Sequence, residues 1–201
     1  MSKFKNAEIK ILGKNGEDIV VIPGLKIIEP KIFGDERGFF FESYSKKDFQ
    51  ENGINIDFVQ DNHSKSQKGV LRGLHFQFKN PQDKLVRVVK GAVYDVVVDI
   101  RKNSPTFGKW FGIVLSAENK KQLFVPKGFA HGFLSLENGT EFLYKCSDFY
   151  NSEGEGGYSF DNEKFGINWK EIAEKYGIES FILSEKDKKY EKFSEEKIYF
   201  Y

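Results

Sequence analysis

Residues 84–100 read KLVRVVKGAVYDVVVDI, and this stretch decides the fold class. It contains two runs rich in Val, at 84–89 and 92–100, on either side of Lys90-Gly91. Short runs enriched in β-branched residues are typical of strands. Lys90-Gly91 is predicted to form a tight hairpin turn between the two runs, although Lys is not the preferred residue at the first position of such a turn. The stretch therefore predicts a β protein.

Runs of the same kind recur on both sides of this stretch, and Gly, Asn, Asp and Ser separate them. They lie at 38–43, 69–77, 111–115 and 140–146. Many short strands with little helix between them predict an all-β closed architecture, either a barrel or a jelly roll. The spacing alone does not choose between the two.

Two short helices are predicted at the edges of this pattern. Ser45 can cap the first, which ends at Gly53. The second is predicted over 168–177, where apolar residues recur at the spacing of a helical turn. Its expected start is a capping box, with Asn168 as the cap and Glu171 as the acidic partner.

The composition excludes several classes of protein. The 31 basic and 30 acidic residues nearly cancel, so no net charge draws the chain to nucleic acid or to an anionic membrane. The 21 Phe, 9 Tyr and 2 Trp supply an aromatic core and exclude disorder. The single cysteine, Cys146, excludes a disulfide framework and fits a reducing cytosol. With no apolar run of about 18 residues and no signal-peptide core at the start, a soluble cytoplasmic protein is expected.

The histidines are the first candidates for chemistry. The chain has three of them: His63, His75 and His131. A single histidine in a β protein is more often a hydrogen-bonded scaffold residue than a catalyst, but His75 is harder to dismiss. Alternation along residues 69–77 places His75 and Arg72 on opposite faces of a strand. The two share a pocket only if Gly73 forms a β-bulge, which a glycine within a strand permits.

Other reactive side chains carry little weight when each is considered alone. Lys84 begins a strand-like run, and Asp95 and Asp99 lie on one face of the next run, where isolated charged residues are usually solvated. Tyr144 lies within a strand-like run, where an aromatic residue is more often core than catalyst. Cys146 has no catalytic partner visible in the sequence and is interpreted as a small buried thiol.

A metal site is the next possibility. Residues 126–131, PKGFAH, resemble the second metal motif of cupins, P-x-G-x-x-H. Metal-binding cupins also have an H-x-H pair and a downstream Glu, but here the pair reads His75-Phe76-Gln77 and no Glu follows closely. The remaining ligands are too few for a divalent ion. A cupin-like barrel without a metal is therefore predicted.

Several longer motifs, taken in order, carry a more specific resemblance. They are 34–43 (GDERGFFFES), 58–64 (FVQDNHS), 69–77 (GVLRGLHFQ), 84–88 (KLVRV), 95–101 (DVVVDIR), 104–108 (SPTFG) and 126–133 (PKGFAHGF). Together they resemble the dTDP-4-dehydrorhamnose 3,5-epimerase family, and the resemblance covers about residues 27–187.

The resemblance implies a double-stranded β-helix (cupin, or jelly-roll) fold in a single domain spanning 1–201, assembled as a homodimer. It also implies epimerisation at C3 and C5 of dTDP-4-dehydro-6-deoxy-D-glucose, giving dTDP-4-dehydro-L-rhamnose on the route to dTDP-L-rhamnose. Neither a metal nor an organic cofactor is implied, and the expected partner is the sugar nucleotide rather than a nucleic acid or a membrane.

Epimerisation next to a ketone needs a base, a positive group at the enolate oxygen, and an acid on the opposite face. By resemblance, His75 is the base and Asp187 is the carboxylate that orients it. Lys84 lies at the C4 oxygen, and Tyr144 returns the proton. Further residues match positions that hold the sugar nucleotide in the family: Arg37, Glu42, Gln60, Asp61, Asn62, Arg72, His131, Glu155 and Lys186. His63 is interpreted as a structural residue or as one that contacts the site residues without touching the substrate.

Three alternatives stay open. The chain could epimerise one carbon only, or it could act on another 4-keto sugar nucleotide such as a heptose. From a different class, it could be a non-catalytic carbohydrate-binding module. Such a module would need Arg37 and Arg72 but would have no use for a His–Asp pair together with a lysine and a tyrosine.

Overall fold

Antiparallel pairing of short strands dominates the computed structural model, which describes residues 4–12, 19–195 and 198–200. The strands are β1 Phe4–Leu12, β2 Ile19–Pro30, β3 Phe33–Asp35, β4 Gly38–Phe40, β5 Gln60–Ser66, β6 Leu71–Gln77, β7 Lys84–Lys90, β8 Ala92–Asp99, β9 Trp110–Ser116, β10 Gln122–Val125, β11 Phe129–Ser135, β12 Thr140–Cys146 and β13 Glu155–Gly157. The helices are α1 Lys46–Glu51 and α2 Trp169–Lys175, with 3₁₀ turns at Ser152–Gly154 and Asp187–Lys189.

The strands form two main sheets. One has six strands in the order β1-β2-β10-β7-β12-β5, and the other has five in the order β13-β6-β11-β8-β9. A separate two-stranded hairpin, β3-β4, lies outside both sheets. Because neighbouring strands within each sheet are mostly distant in sequence, the architecture is a jelly roll rather than an up-and-down barrel. The predicted all-β cupin-type fold is confirmed.

The hairpin predicted at Lys90-Gly91 is wrong. Strand β7 pairs with β10 and β12, whereas β8 pairs with β9 and β11 in the other sheet. Gly91 has φ of +73°, and a Cβ there would lie 2.5 Å from Thr140 Oγ1, so the chain turns tightly against β12 as it leaves one sheet for the other. Enrichment in β-branched residues identified both strands correctly, but it carries no information about which strands they pair with.

The apolar core has three parts. Between the sheets lie residues that are fully buried, among them Val86, Val97 and Leu123. On the outer face of the five-stranded sheet, Trp169 of α2 packs in a second cluster. On the outer face of the six-stranded sheet, Phe49 of α1 packs in a third. A polar site between the two sheets can therefore form only where polar side chains replace apolar ones on the inner faces of the strands.

The two helices begin where the sequence predicts, but only one is capped as expected. Ser45 Oγ accepts from the Asp48 amide at the start of α1, which confirms that cap. The capping box at Asn168 is wrong, because its side chain instead accepts from the Tyr94 hydroxyl at 2.8 Å and donates to Glu171. Within the described residues, neither helix is long and apolar enough to cross a membrane.

The β-bulge at Gly73 is present. His75 pairs with His131 of β11, whereas Arg72 pairs with Phe133, so β6 contains one residue more than its partner over this interval. Gly73 has φ of +117°, and a Cβ there would lie 2.7 Å from the His131 carbonyl oxygen. A one-residue bulge reverses the alternation of side chains. Arg72 and His75 therefore project from the same face of β6.

Candidate active site

A cavity of about 270 Å³ lies between the inner faces of the two sheets. Six of the residues predicted from the sequence line it: Gln60, Asn62, His75, Lys84, Tyr144 and Glu155. The strands that supply them are β5, β6, β7, β12 and β13, so both sheets contribute. His75 comes from the five-stranded sheet and Tyr144 from the six-stranded sheet, which places these two side chains on opposite walls.

His75 is held by a buried carboxylate. Its Nε2 lies 2.5 Å from Asp187 Oδ1, and Asp187 also accepts from Ser184 Oγ at 2.7 Å. The Asp187 side chain is 5% exposed, against 32% for His75. Burial raises the pKa of Asp187, but the hydrogen bonds from His75 and Ser184 outweigh it and keep this pKa below its ordinary value. An ionised carboxylate can only accept, so Nε2 donates and Nδ1 is left with its lone pair.

Asp187→Asn is expected to remove an acid-sensitive part of the free energy of unfolding. Because the pKa of Asp187 is lowered in the folded chain, its carboxylate stabilises the fold above the ordinary value of 3.8. This contribution is lost as the pH falls through the lowered pKa. The deficit in Tm of the variant against the parent is therefore full near pH 7 and shrinks below about pH 4.

Thermal unfolding of both chains over a series of pH values measures this effect. The control is Glu185→Gln, since Glu185 is 80% exposed and pairs with Lys188 at the surface. A Tm deficit for Asp187→Asn that stays constant down to about pH 2 would contradict the assignment.

Lys84 and Tyr144 lie together on the wall opposite His75. The Lys84 ammonium is 5.9 Å from the centre of the Tyr144 ring. Burial lowers the pKa of Lys84, and Cys146, Asp95 and Glu155 partly offset the effect. Burial also raises the pKa of Tyr144, so this side chain is a neutral phenol able to donate a proton. A half-buried ammonium beside a half-buried phenol can stabilise and then protonate a developing enolate.

A second histidine–aspartate pair lies next to the first. His131 pairs across the strands with His75, and its Nε2 is 3.0 Å from both carboxylate oxygens of Asp95. Asp95 is completely buried, as is Asp99, so the expectation of solvated carboxylates is wrong for both. The signal was available in the sequence, because an acid within a strand that is apolar on both faces must find a partner.

Glu155 lines the cavity, and Lys186 is bound to it. Glu155 makes an ion pair with Lys186 and accepts from the Tyr150 hydroxyl at 2.8 Å. Burial raises the pKa of Glu155, but these two partners outweigh it and keep the group ionised. Sequence reasoning missed three further polar residues that line the cavity: Gln77, Gln82 and Tyr150.

The motif Gln60-Asp61-Asn62 is divided between two faces of β5. Gln60 and Asn62 point into the cavity, and their amides are hydrogen-bonded to each other at 3.1 Å. Asp61 lies on the outer face and accepts from Lys145 at 2.9 Å. Strand alternation explains the division, because only every second residue reaches the inner face.

Three other predicted residues lie outside the cavity lining. Arg72 is exposed and donates to Ser66 Oγ, although its charge reaches Tyr144 and partly offsets the rise in the pKa of that phenol caused by burial. Arg37 lies on the β3–β4 hairpin, where its side chain is 86% exposed and bound to Asp35. Glu42 is exposed. The carbonyl of the next residue, Ser43, accepts a hydrogen bond from Gln122 on the outer face of the six-stranded sheet.

Two further side chains were predicted to be structural. His63 is on the outer face, 3.3 Å from Glu141 and 55% exposed, so its role stays a prediction. Cys146 is buried and accepts from Asn62 Nδ2 at 3.6 Å, which confirms the interpretation as a buried thiol. Within the part of the chain that the structure describes, no three His, Cys, Asp or Glu side chains form a group that could hold a metal. The prediction that no cofactor is required is not tested by this geometry.

Comparison with known proteins gives the family. A sequence model of the dTDP-4-dehydrorhamnose 3,5-epimerase family matches residues 20–195. The chain belongs to this family. The match begins within β2 and ends just before the last described residues, so it includes every side chain of the cavity described above.

Individual members of the epimerase family agree closely with this chain. The dTDP-4-dehydrorhamnose 3,5-epimerase of Salmonella typhimurium is 59% identical over 150 residues, which cover 74% of this chain and 82% of that protein. The solved dTDP-6-deoxy-D-glucose-3,5-epimerase of Legionella pneumophila, in complex with dTDP-4-keto-L-rhamnose, has a TM-score of 0.82 at 46% identity, covering 97% and 99%. A 3′-monoepimerase of Streptomyces bikiniensis, in complex with dTDP-quinovose, has a TM-score of 0.77 at 32% identity, covering 85% and 84%.

Proposed function

We propose that this chain is an isomerase that converts dTDP-4-dehydro-6-deoxy-D-glucose into dTDP-4-dehydro-L-rhamnose, a step in dTDP-L-rhamnose biosynthesis. The observation that carries the proposal is the pairing of His75–Asp187 on one wall of the cavity with Tyr144 and Lys84 on the other. Inversion at carbon needs a base and an acid on opposite faces of the same atom, and these two walls supply them.

The reaction begins at the base. His75 Nδ1 takes the proton from C5 or C3, and the imidazolium that forms is stabilised by the ionised Asp187. The electron pair of the broken C–H bond forms a double bond between that carbon and C4. The electron pair of the C4 carbonyl bond moves to the oxygen, where negative charge develops. Lys84 stabilises that charge in a partly buried setting, where a charge interaction is stronger than in water.

Tyr144 completes the inversion. Its phenol donates a proton to the carbon from the face opposite His75, the ketone re-forms, and the configuration at that carbon is reversed. The phenol is suited to this step because burial keeps it protonated until the enolate forms. Between the two inversions the imidazolium gives a proton to solvent and the phenolate takes one from solvent, so that the overall reaction consumes no proton. The same two walls then serve both carbons, since C3 and C5 flank the same ketone.

The proposal includes a homodimer in the cytoplasm. Arg37 and Glu42, which the family resemblance assigns to substrate binding, lie outside the cavity of their own chain. The hairpin that carries Arg37 exposes Phe39 and Phe40, at 63% and 66%. We propose that the hairpin covers this apolar surface against a second copy of the chain and brings Arg37 to the nucleotide bound there.

The test is incubation with dTDP-4-keto-6-deoxyglucose in D₂O, with C3 and C5 followed by NMR. Deuterium at both carbons with inverted product is the expected result. The similarity to a 3′-monoepimerase makes inversion at one carbon the second candidate, and exchange confined to that carbon would favour it. The absence of exchange would indicate a different 4-keto sugar nucleotide, such as a heptose, or a binding protein without catalysis.

A further inference from the structure

The ring of Tyr190 packs directly against the imidazole of His75. The two ring centres are 5.5 Å apart and the planes are tilted by 59°. Tyr190 follows the 3₁₀ turn that carries Asp187, so the residue that binds His75 and the residue that packs on it belong to one short segment. Tyr190 is not among the residues that line the cavity.

A glycine on the neighbouring strand makes room for this ring. A Cβ at Gly157 would lie 2.6 Å from Tyr190 Cζ and 2.7 Å from both adjacent ring carbons, so the ring lies flat on the Gly157 backbone. Gly157 is also the residue of β13 that pairs with His75. The Ser159 amide donates to the Glu191 carbonyl at 2.9 Å and fixes the chain on the far side of the tyrosine. The ring is thus held between the backbone of β13 and the imidazole.

The phenol group of Tyr190 plays no visible part in this arrangement. Its oxygen is buried, and no described group reaches it with hydrogen-bond geometry. Burial raises the pKa of Tyr190, although the nearby Lys186 ammonium opposes the effect, so the side chain stays neutral. The Lys186 ammonium is the polar neighbour of the phenol, whereas the ring is the part of Tyr190 that contacts His75. The ring can act on His75 through its shape and through the water it excludes.

We propose that Tyr190 is a positioning residue whose ring fixes the plane of the His75 imidazole and shields the His75–Asp187 hydrogen bond from water. The inference rests on the proposed function only in that His75 is taken as the base. It assigns the positioning to the ring and none of it to the hydroxyl. A base that is free to rotate by a small angle loses rate, because proton transfer requires close alignment.

The first test uses the imidazole proton itself, without substrate. In the full chain, the proton between His75 Nε2 and Asp187 should give a downfield NMR signal that exchanges slowly with water, and its assignment comes from its loss in His75→Asn. Tyr190→Ala should broaden or abolish this signal, and Tyr190→Phe should retain it. Tyr176→Ala removes a half-buried ring away from the cavity and should leave the signal unchanged.

The second test measures turnover. Tyr190→Ala is expected to lower kcat by about 10- to 100-fold with little change in KM, whereas Tyr190→Phe should match the parent. Gly157→Ala provides an independent route to the same effect, since its methyl group would displace the ring while Tyr190 itself is kept. The double variant should lose no more kcat than Tyr190→Ala alone, because both changes remove the same contact.

Two results would overturn the proposal. One is a slowly exchanging His75 signal that survives in Tyr190→Ala. The other is an equal loss of signal in Tyr190→Ala and Tyr190→Phe, which would assign the effect to the hydroxyl. If the chain fails to epimerise the expected sugar while the NMR signal still responds to the ring, the proposed function is wrong and the positioning role stands. Circular dichroism on each variant distinguishes the two overturning results from loss of the fold.

Discussion

His75→Ala should abolish deuterium incorporation at both C3 and C5 of dTDP-4-keto-6-deoxyglucose, with a loss of about 10²- to 10⁴-fold in the rate of exchange. The reason is that the His75 imidazole lines the cavity with a lone pair on Nδ1 and is held in position by the ionised Asp187. Removal of the imidazole leaves the site lined by amides, two phenols, an ammonium and the Glu155 carboxylate. Glu155 is bound to Lys186 and Tyr150, and its lowered pKa makes it a weak base. NMR in D₂O measures the exchange.

The matched control is His63→Ala. His63 lies on the outer face of the six-stranded sheet, beside Glu141, and its removal should leave the exchange at both carbons unchanged. Exchange at C5 that persists in His75→Ala would refute the assignment of this residue as the base. His75→Ala leaves the buried Asp187 carboxylate without its imidazole partner, so the Tm of the variant should fall, and circular dichroism checks that the variant is folded.

Tyr144→Phe should separate exchange from inversion. Without the phenol, His75 can still remove a proton and return a deuteron to the same face, so deuterium enters the substrate while its configuration is retained. Formation of the inverted product should fall by about 10²- to 10⁴-fold. The result follows from the position of Tyr144 on the wall opposite His75, beside Lys84. NMR of the recovered sugar measures deuterium content and configuration in one sample.

Tyr94→Phe is the control for this experiment. It also removes a buried hydroxyl, one that donates to Asn168 outside the cavity, and it should lower Tm without changing either exchange or inversion. A Tyr144→Phe chain that still inverts at the parent rate would exclude the phenol as the acid. Loss of exchange together with inversion would mean that Tyr144 acts before the proton is removed.

The fold was largely predictable because it follows from local pattern. Alternating and β-branched runs marked the strands, and Ser45 marked the start of α1. Pairing was not predictable, because β7 and β8 are adjacent in sequence and yet belong to different sheets. The turn at Gly91 has the local chemistry of a hairpin, and only the position of the other strands makes it a crossover.

The candidate site was predictable in part for the same reason. Linear motifs identified His75 and Lys84, the family resemblance added Tyr144, and the jelly roll brings the three together. The motifs do not state which face of a strand each residue occupies, which is why Asp61 appears beside cavity residues in sequence and away from them in space. Tyr190 has no motif at all, since its role depends on a glycine more than 30 residues earlier that only the fold places beneath it.

The bulge at Gly73 determines the direction in which the His75 side chain points. In a regular strand, a slip of one position would turn every side chain to the other side of the sheet. Here an extra residue lies two positions before His75, where β11 approaches so closely that a methyl group would meet the His131 carbonyl. The bulge and this close contact fix the register of β6 against β11. The main chain therefore determines the face from which His75 removes the proton.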